Sequence, residues 1–223
     1  MTGHTVRTPR TGHPDGHPIS IGVSGVRLPL GSVRKEEKTT SYRVLYADPP
    51  WQYEHPISHS RSIEKQYPTM TLEDIRALNV PAADDCALFL WATAPKLAEA
   101  VSVVDAWGFD YRTCLVWVKP RLGMGYYFRT HHELLLLALK GNLGTPEPCA
   151  RPASVLNWPT GPHSAKPEIV YQLIENMYAG PYLELFARPP FRENWDVWGN
   201  ETYENSEQAF LFTPGNHIGE LPA

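Results

Sequence analysis

The stretch Tyr42-Arg43-Val44-Leu45-Tyr46-Ala47-Asp48-Pro49-Pro50-Trp51 decides how this 223-residue chain is read. Its first six residues form a short, largely apolar run suited to a buried strand. The run stops at Pro49-Pro50, because proline cannot donate to a ladder or continue a central strand. Asp48 is therefore expected at the carboxyl end of a strand.

Downstream of this stretch, apolar runs alternate with helical patterns. Thr71 and Asp74 make a Thr-x-x-Asp capping box that opens a short helix through about Leu78. The run Ala87–Trp91 reads as a buried strand. A helix from about Pro95 follows, with Leu97, Val101, Val104 and Trp107 at helical spacing and Gly108 as its stop. Residues 113–118, 133–139 and 182–187 read as strands, Val155–Trp158 as a short one, and Pro167–Tyr178 as a helix ended by Gly180. The alternation predicts an α/β sheet with helices on both faces, where ligands gather at the carboxyl ends of the strands. Asp48, Lys119 and Arg188 each follow a strand and mark that end as the expected site.

Composition limits the alternatives. The chain is 42% hydrophobic and 20% charged, enough for one well-buried domain. No apolar run approaches the roughly 20 residues of a membrane helix, and the amino terminus lacks a signal-peptide core, so a cytoplasmic location is expected. Cys86, Cys114 and Cys149 are widely spaced and suggest neither a disulfide framework nor a zinc site. His55, His59, His131 and His132 lack a metal-ligand context, and no metal is expected. The net charge of −4 is uneven: residues 1–41 carry six Lys/Arg and three Asp/Glu, which leaves 14 basic and 21 acidic residues beyond them. Residues 1–41 read as a disordered basic leader, residues 42–201 as the folded domain and residues 202–223 as a tail. A body with that acidic excess can hold phosphates only through a few placed cations.

Asp48-Pro49-Pro50-Trp51 has a specific chemical use. An amino group on an aromatic base is a poor nucleophile, because its lone pair is delocalised into the ring. A carboxylate accepting one amino hydrogen and a fixed backbone carbonyl accepting the other would localise that pair. Asp48 and the carbonyl of Pro49 suit those roles, and Trp51 offers a face on which an extruded base could stack.

These residues, with Tyr67-Pro68-Thr69-Met70, Leu88-Phe89-Leu90-Trp91, Trp117-Val118-Lys119, His163-Ser164-Ala165-Lys166-Pro167, Glu184-Leu185-Phe186-Ala187-Arg188 and Trp198-Gly199-Asn200-Glu201, resemble the MT-A family of adenine methyltransferases. The resemblance runs from about Tyr42 to Glu201, and the His-Ser-x-Lys-Pro spelling is closer to the bacterial and phage branch than to the mRNA branch. It implies a Rossmann-like class I methyltransferase sheet with circularly permuted motif order. It also implies methylation of the N6 amino group of adenine in DNA, with S-adenosylmethionine as methyl donor. On this reading Asp48, Pro49, Pro50 and Trp51 are catalytic. Lys166 pairs with the donor's carboxylate, Glu184 and Arg188 lie near its ribose, Asn200 and Glu201 lie near its ribose or adenine, and Asp48 also accepts from its amino group. Trp51, Tyr67, Arg121 and Arg129 would handle the nucleic acid. The last two flank a Gly- and aromatic-containing stretch, 121–129, suited to stacking and phosphate contact or to simple packing.

The match is incomplete after Arg188. Pro189-Pro190-Phe191-Arg192 stands where the mRNA enzymes hold a ribose with His and Asn, so that contact is either remade by Arg192 or Asn194 or absent. The implied partner is DNA or RNA containing adenine, with no membrane, and a homo- or heterodimer stays open. Three rivals share the motif: an RNA adenine methyltransferase, a noncatalytic nucleic-acid-binding partner of the same fold, and a methyltransferase for a protein or small-molecule amide.

Overall fold

A computed structural model describes residues 40–53, 69–123, 125, 127–161 and 165–199. The expected leader and tail therefore lie outside the described residues, apart from positions 40 and 41, as do Tyr67, Asn200 and Glu201. No helix among the described residues is long and apolar enough to cross a membrane, and no cluster there could hold a metal ion.

The elements run β1 (Tyr42–Ala47), α1 (Leu72–Ala77), β2 (Ala82–Ala92), α2 (Leu97–Ala106), β3 (Asp110–Val118), β4 (His132–Lys140), β5 (Val155–Asn157), α3 (Ile169–Met177), β6 (Tyr182–Leu185) and β7 (Trp195–Trp198). They form one seven-stranded sheet in the order β5-β3-β4-β2-β1-β6-β7. β1 pairs parallel with β2 and β6, β6 with β7, and β3 with β5, whereas β4 is antiparallel to both β2 and β3. This is the α/β, Rossmann-like sheet that the sequence implies, with the Asp48 motif on the first strand.

Period-2 alternation divides the core into two faces. Leu45, Leu88, Leu90, Leu136 and Leu183 meet Ile75, Ala100, Val103 and Val104 of α1 and α2. Val44, Tyr46, Phe89, Trp91, Trp117 and Leu135 meet Val170, Ile174 and Tyr178, on and beside α3. Continuing the alternation of Val44 and Tyr46 turns Asp48 to the α3 face.

Three details depart from the sequence reading. The buried stripe of α2 is Ala100, Val103 and Val104 rather than one beginning at Leu97, which is 39% exposed on the rim of the helix. β2 starts five residues earlier than its apolar run, because exposed Asp84 and Asp85 extend the strand and Asp85 Oδ1 accepts the Asn142 backbone N–H at 2.6 Å. β7 is a strand the pattern does not announce. It is only four residues long and follows Asn194 at φ 65, and it pairs with β6 from Tyr182↔Trp195 to Leu185↔Trp198.

The first helix begins as its capping box predicts: Thr71 Oγ1 accepts the Asp74 N–H at 3.1 Å. Thr71→Ala should lower unfolding stability by about 1 kcal/mol, seen as a lower urea midpoint at unchanged slope. An unchanged midpoint would mean that tertiary contacts alone set this helix start.

Candidate active site

Alternation brings the polar strand ends to one place. Asp48 follows β1, Lys119 follows β3, Glu133 opens β4 opposite Trp117, and Glu184 on β6 is in register with Tyr46. Lys166 comes from the segment just before α3. Its Nζ lies 2.7 Å from Asp48 Oδ2 and 3.3 Å from Glu133 Oε2. Arg188 Nη2 donates to the same Asp48 oxygen at 3.2 Å, and Lys119 pairs closely with Glu133. The result is an alternating chain Arg188, Asp48, Lys166, Glu133, Lys119 that crosses the carboxyl-end rim of the sheet.

Beneath the chain lies an aromatic floor. Lys166 sits 5.6 Å from the Trp91 ring and Lys119 4.9 Å from the Trp117 ring, and the two indoles pack edge to face at 5.9 Å. The Trp91 indole N–H donates to the Tyr46 hydroxyl at 2.7 Å, so its polar edge is satisfied inside the core. Cations over ring faces gain electrostatic attraction that partly offsets lost hydration.

Charge at Lys166 is decided by a competition. Burial acts to lower the pKa of its ammonium, but the Asp48 and Glu133 carboxylates outweigh it and hold the group above the ordinary lysine range. Glu133 is likewise penalised by burial, yet Lys166 and Lys119 hold its carboxyl below the ordinary range. Both stay ionised at neutral pH. Glu184 is different: burial, reinforced by the Asp48 charge, pushes its carboxyl up to about 7 against the opposing Tyr171 hydrogen bond and Arg188 charge. The Tyr171 hydroxyl donates to Glu184 Oε2 at 2.9 Å.

The turn after β6 is built under constraint. Phe186 adopts φ 62, a costly region for a bulky residue, just before Arg188 reaches Asp48. Gly199 closes over this turn: a Cβ there would lie 2.6 Å from the Ala187 carbonyl, so the Trp-Gly of the last motif block has a steric cause.

The proposed roles fare differently in the geometry. Asp48, Lys166, Arg188 and Glu184 meet on one face. The Pro49 carbonyl accepts the Trp51 N–H at 2.9 Å, which occupies one of its two lone pairs. The Pro50 carbonyl accepts the Met70 N–H at 3.0 Å, tying the motif to the chain ahead of α1. Trp51 is placed differently from Asp48. Its side chain joins the core on the α1/α2 face at 5% exposure, and its indole N–H donates to the Trp91 carbonyl at 3.1 Å. The bond ties the end of the motif to β2.

Arg192 is held by α3. It forms a two-pronged clasp to Glu175 of α3, at 3.1 and 2.8 Å, which uses two of its five N–H donors. Arg121 and Arg129 are exposed on the β3–β4 hairpin. Glu133 is the site residue that sequence reasoning missed. Its signal was a lone acid at the head of the otherwise apolar run Leu134–Leu139, opposite a strand that ends in lysine.

With a folded-state pKa raised from 4.5 to about 7, the Glu184 carboxyl holds a proton that the unfolded chain releases earlier. Its stabilising contribution is complete below about pH 4.5 and is lost as pH rises through 7. Relative to Glu184→Gln, the wild type should lose stability on the order of 3 kcal/mol between pH 4 and pH 8, measured by denaturant melts. Parallel curves for the two proteins would contradict the shift.

Comparison with known proteins agrees with this architecture. The MT-A70 family profile matches residues 42–201. The chain is 35% identical over 198 residues to the type II methyltransferase M.MunI of Mycoplasma sp, covering 79% of this chain and 84% of that protein. It is 31% identical over 173 residues to the N(6)-adenosine-methyltransferase subunit METTL3 of Danio rerio and 30% identical over 173 residues to the catalytic subunit METTL3 of Homo sapiens. Each of those alignments covers 72% of this chain but 28% of the relative. The motif blocks, the sheet and the matched span together place this chain in the MT-A70 family.

Proposed function

We propose that the chain transfers a methyl group from S-adenosylmethionine to the N6 amino nitrogen of adenine in DNA. The observation that carries this reading is the Asp48 carboxylate, fixed after β1 by Lys166 at 2.7 Å and Arg188 at 3.2 Å. Both cations meet Oδ2, which leaves Oδ1 to accept an amino hydrogen while the Pro49 carbonyl accepts the other. Those two acceptors draw the lone pair out of the ring and aim it.

The residues present suit the methyl donor. Bound here, it would supply an electrophilic methyl on a sulfonium. Lys166 has three N–H donors and directs two at carboxylates, so one remains for the donor's carboxylate. Glu184, with a carboxyl near pKa 7, can donate to or accept from a ribose hydroxyl, and Arg188 beside it adds a cation. With the donor held there, its methyl would be offered to the adenine nitrogen that Asp48 Oδ1 and the Pro49 carbonyl orient, and the amino proton released would leave to solvent.

The DNA reading leans on the 35% identity to M.MunI, which extends over most of both chains, against a METTL3 match confined to 28% of those proteins. RNA adenine is the second reading. Asn200, Glu201 and Tyr67 keep their proposed contacts to donor and base on the motif resemblance alone.

The test is transfer of a labelled methyl from S-adenosylmethionine to single-stranded DNA, double-stranded DNA and RNA, with nucleoside analysis of the product. N6-methyladenine in DNA is expected. Asp48→Ala should lower that rate roughly a hundredfold or more in a folded protein, and Lys166→Ala should weaken donor binding about tenfold or more. Label in a different base, or full activity of Asp48→Ala, would overturn the assignment.

A further inference from the structure

The hairpin between β3 and β4 carries a surface that the folded core does not use. Its arms are paired by Lys119 N–H to the His131 carbonyl at 2.8 Å and by Gly123 N–H to the Thr130 carbonyl at 2.6 Å. At its tip Tyr127 is 97% exposed and Phe128 88% exposed, the two most exposed large hydrophobic side chains among the described residues. The tip is built: a Cβ on Gly125 would fall 1.9 Å from the Phe128 carbonyl, so only glycine permits this turn. Arg129 Nε donates to the Gly123 carbonyl at 3.3 Å, which holds one guanidinium beside the aromatics. Arg121 stands at the base of the same hairpin, exposed and with no acidic partner among the described residues.

We infer that Tyr127 and Phe128 stack on bases flanking the target adenine, while Arg121 and Arg129 take the adjoining phosphates. Charge argues for this occupant. Beyond residue 41 the chain carries 21 acidic against 14 basic residues, so two exposed arginines on one hairpin are a local exception rather than part of a general cationic field. Two solvated rings between cations match a nucleic-acid strand, whose bases offer π-faces and whose backbone offers anions. Placement argues for it too. The hairpin springs from Lys119, the end of the charge chain that begins at Arg188 and Asp48. A base extruded to Asp48 leaves its neighbours unstacked, and these rings would replace the lost stacking partner.

This inference rests on the proposed nucleic-acid substrate, so its test reads binding separately from transfer. Labelled single-stranded DNA oligonucleotides with one adenine are bound to the full chain in the presence of S-adenosylhomocysteine. One series is intact, and the other has abasic residues on either side of the adenine. The wild type should lose about tenfold in affinity when the flanking bases are removed. Tyr127→Ala/Phe128→Ala should bind the intact strand about tenfold more weakly and be indifferent to the abasic flanks, with donor affinity and melting temperature unchanged. Equal sensitivity of variant and wild type to abasic flanks, or no binding of the intact strand by the wild type, would overturn the inference. Binding with the expected pattern but no methyl transfer would leave this surface standing and count against the proposed function instead.

Discussion

The site depends on the ion pair between Asp48 and Lys166. Taking both charges out of water costs several kcal/mol per ion, and a 2.7 Å contact by itself repays that only in part. The remainder comes from neighbours: Arg188 on the far side of Asp48, Glu133 on the far side of Lys166, and Lys119 beyond it. No member is left as an isolated buried charge. The arrangement also ties elements distant in sequence, because its five groups come from the ends of β1, β3, β4 and β6 and from the segment before α3. A site assembled this way carries its charges in place before any substrate arrives, and that lowers the reorganisation needed at the moment of reaction.

The sheet makes the arrangement possible through strand parity. Tyr46, Trp91, Trp117, Glu133 and Glu184 all turn to the α3 face, and Asp48 follows by the same alternation. The antiparallel β4 matters here. Reversed between β2 and β3, it delivers its first residues, rather than its last, to the rim where the parallel strands end. Glu133 therefore stands beside Lys119 and Lys166, while the opposite face is filled by leucines against α1 and α2. Trp51 is held on that second face, pinning the motif so that Asp48 and the Pro49 carbonyl keep a fixed relation.

Much of this was legible in the sequence, for physical reasons. Pro49-Pro50 forces a strand to stop, so the limits of β1 follow from local chemistry alone, and the same is true of the Thr71 cap. Asp48, Lys119 and Arg188 could be assigned to one rim because strand ends converge in an α/β sheet. Glu133 could not be found that way, since its role depends on β4 running antiparallel, a pairing that an apolar run does not encode. The burial of Trp51 was equally hidden: an aromatic after a turn reads the same whether it faces solvent or core. The commitment of Arg192 to Glu175 is a tertiary choice between two polar uses of one guanidinium. β7 escaped notice because a four-residue strand carries too few alternations to register as a pattern.

Asp48 and Glu133 act on Lys166 as one coupled unit. The most direct measurement is a double-mutant cycle on donor affinity, using Asp48→Asn, Glu133→Gln and the double variant, with S-adenosylmethionine titrated by calorimetry. Removing either carboxylate disturbs the same ammonium, so the two effects should be non-additive, with a coupling of about 1 kcal/mol or more. Additive effects would show that Lys166 is set by each carboxylate separately and would contradict the account.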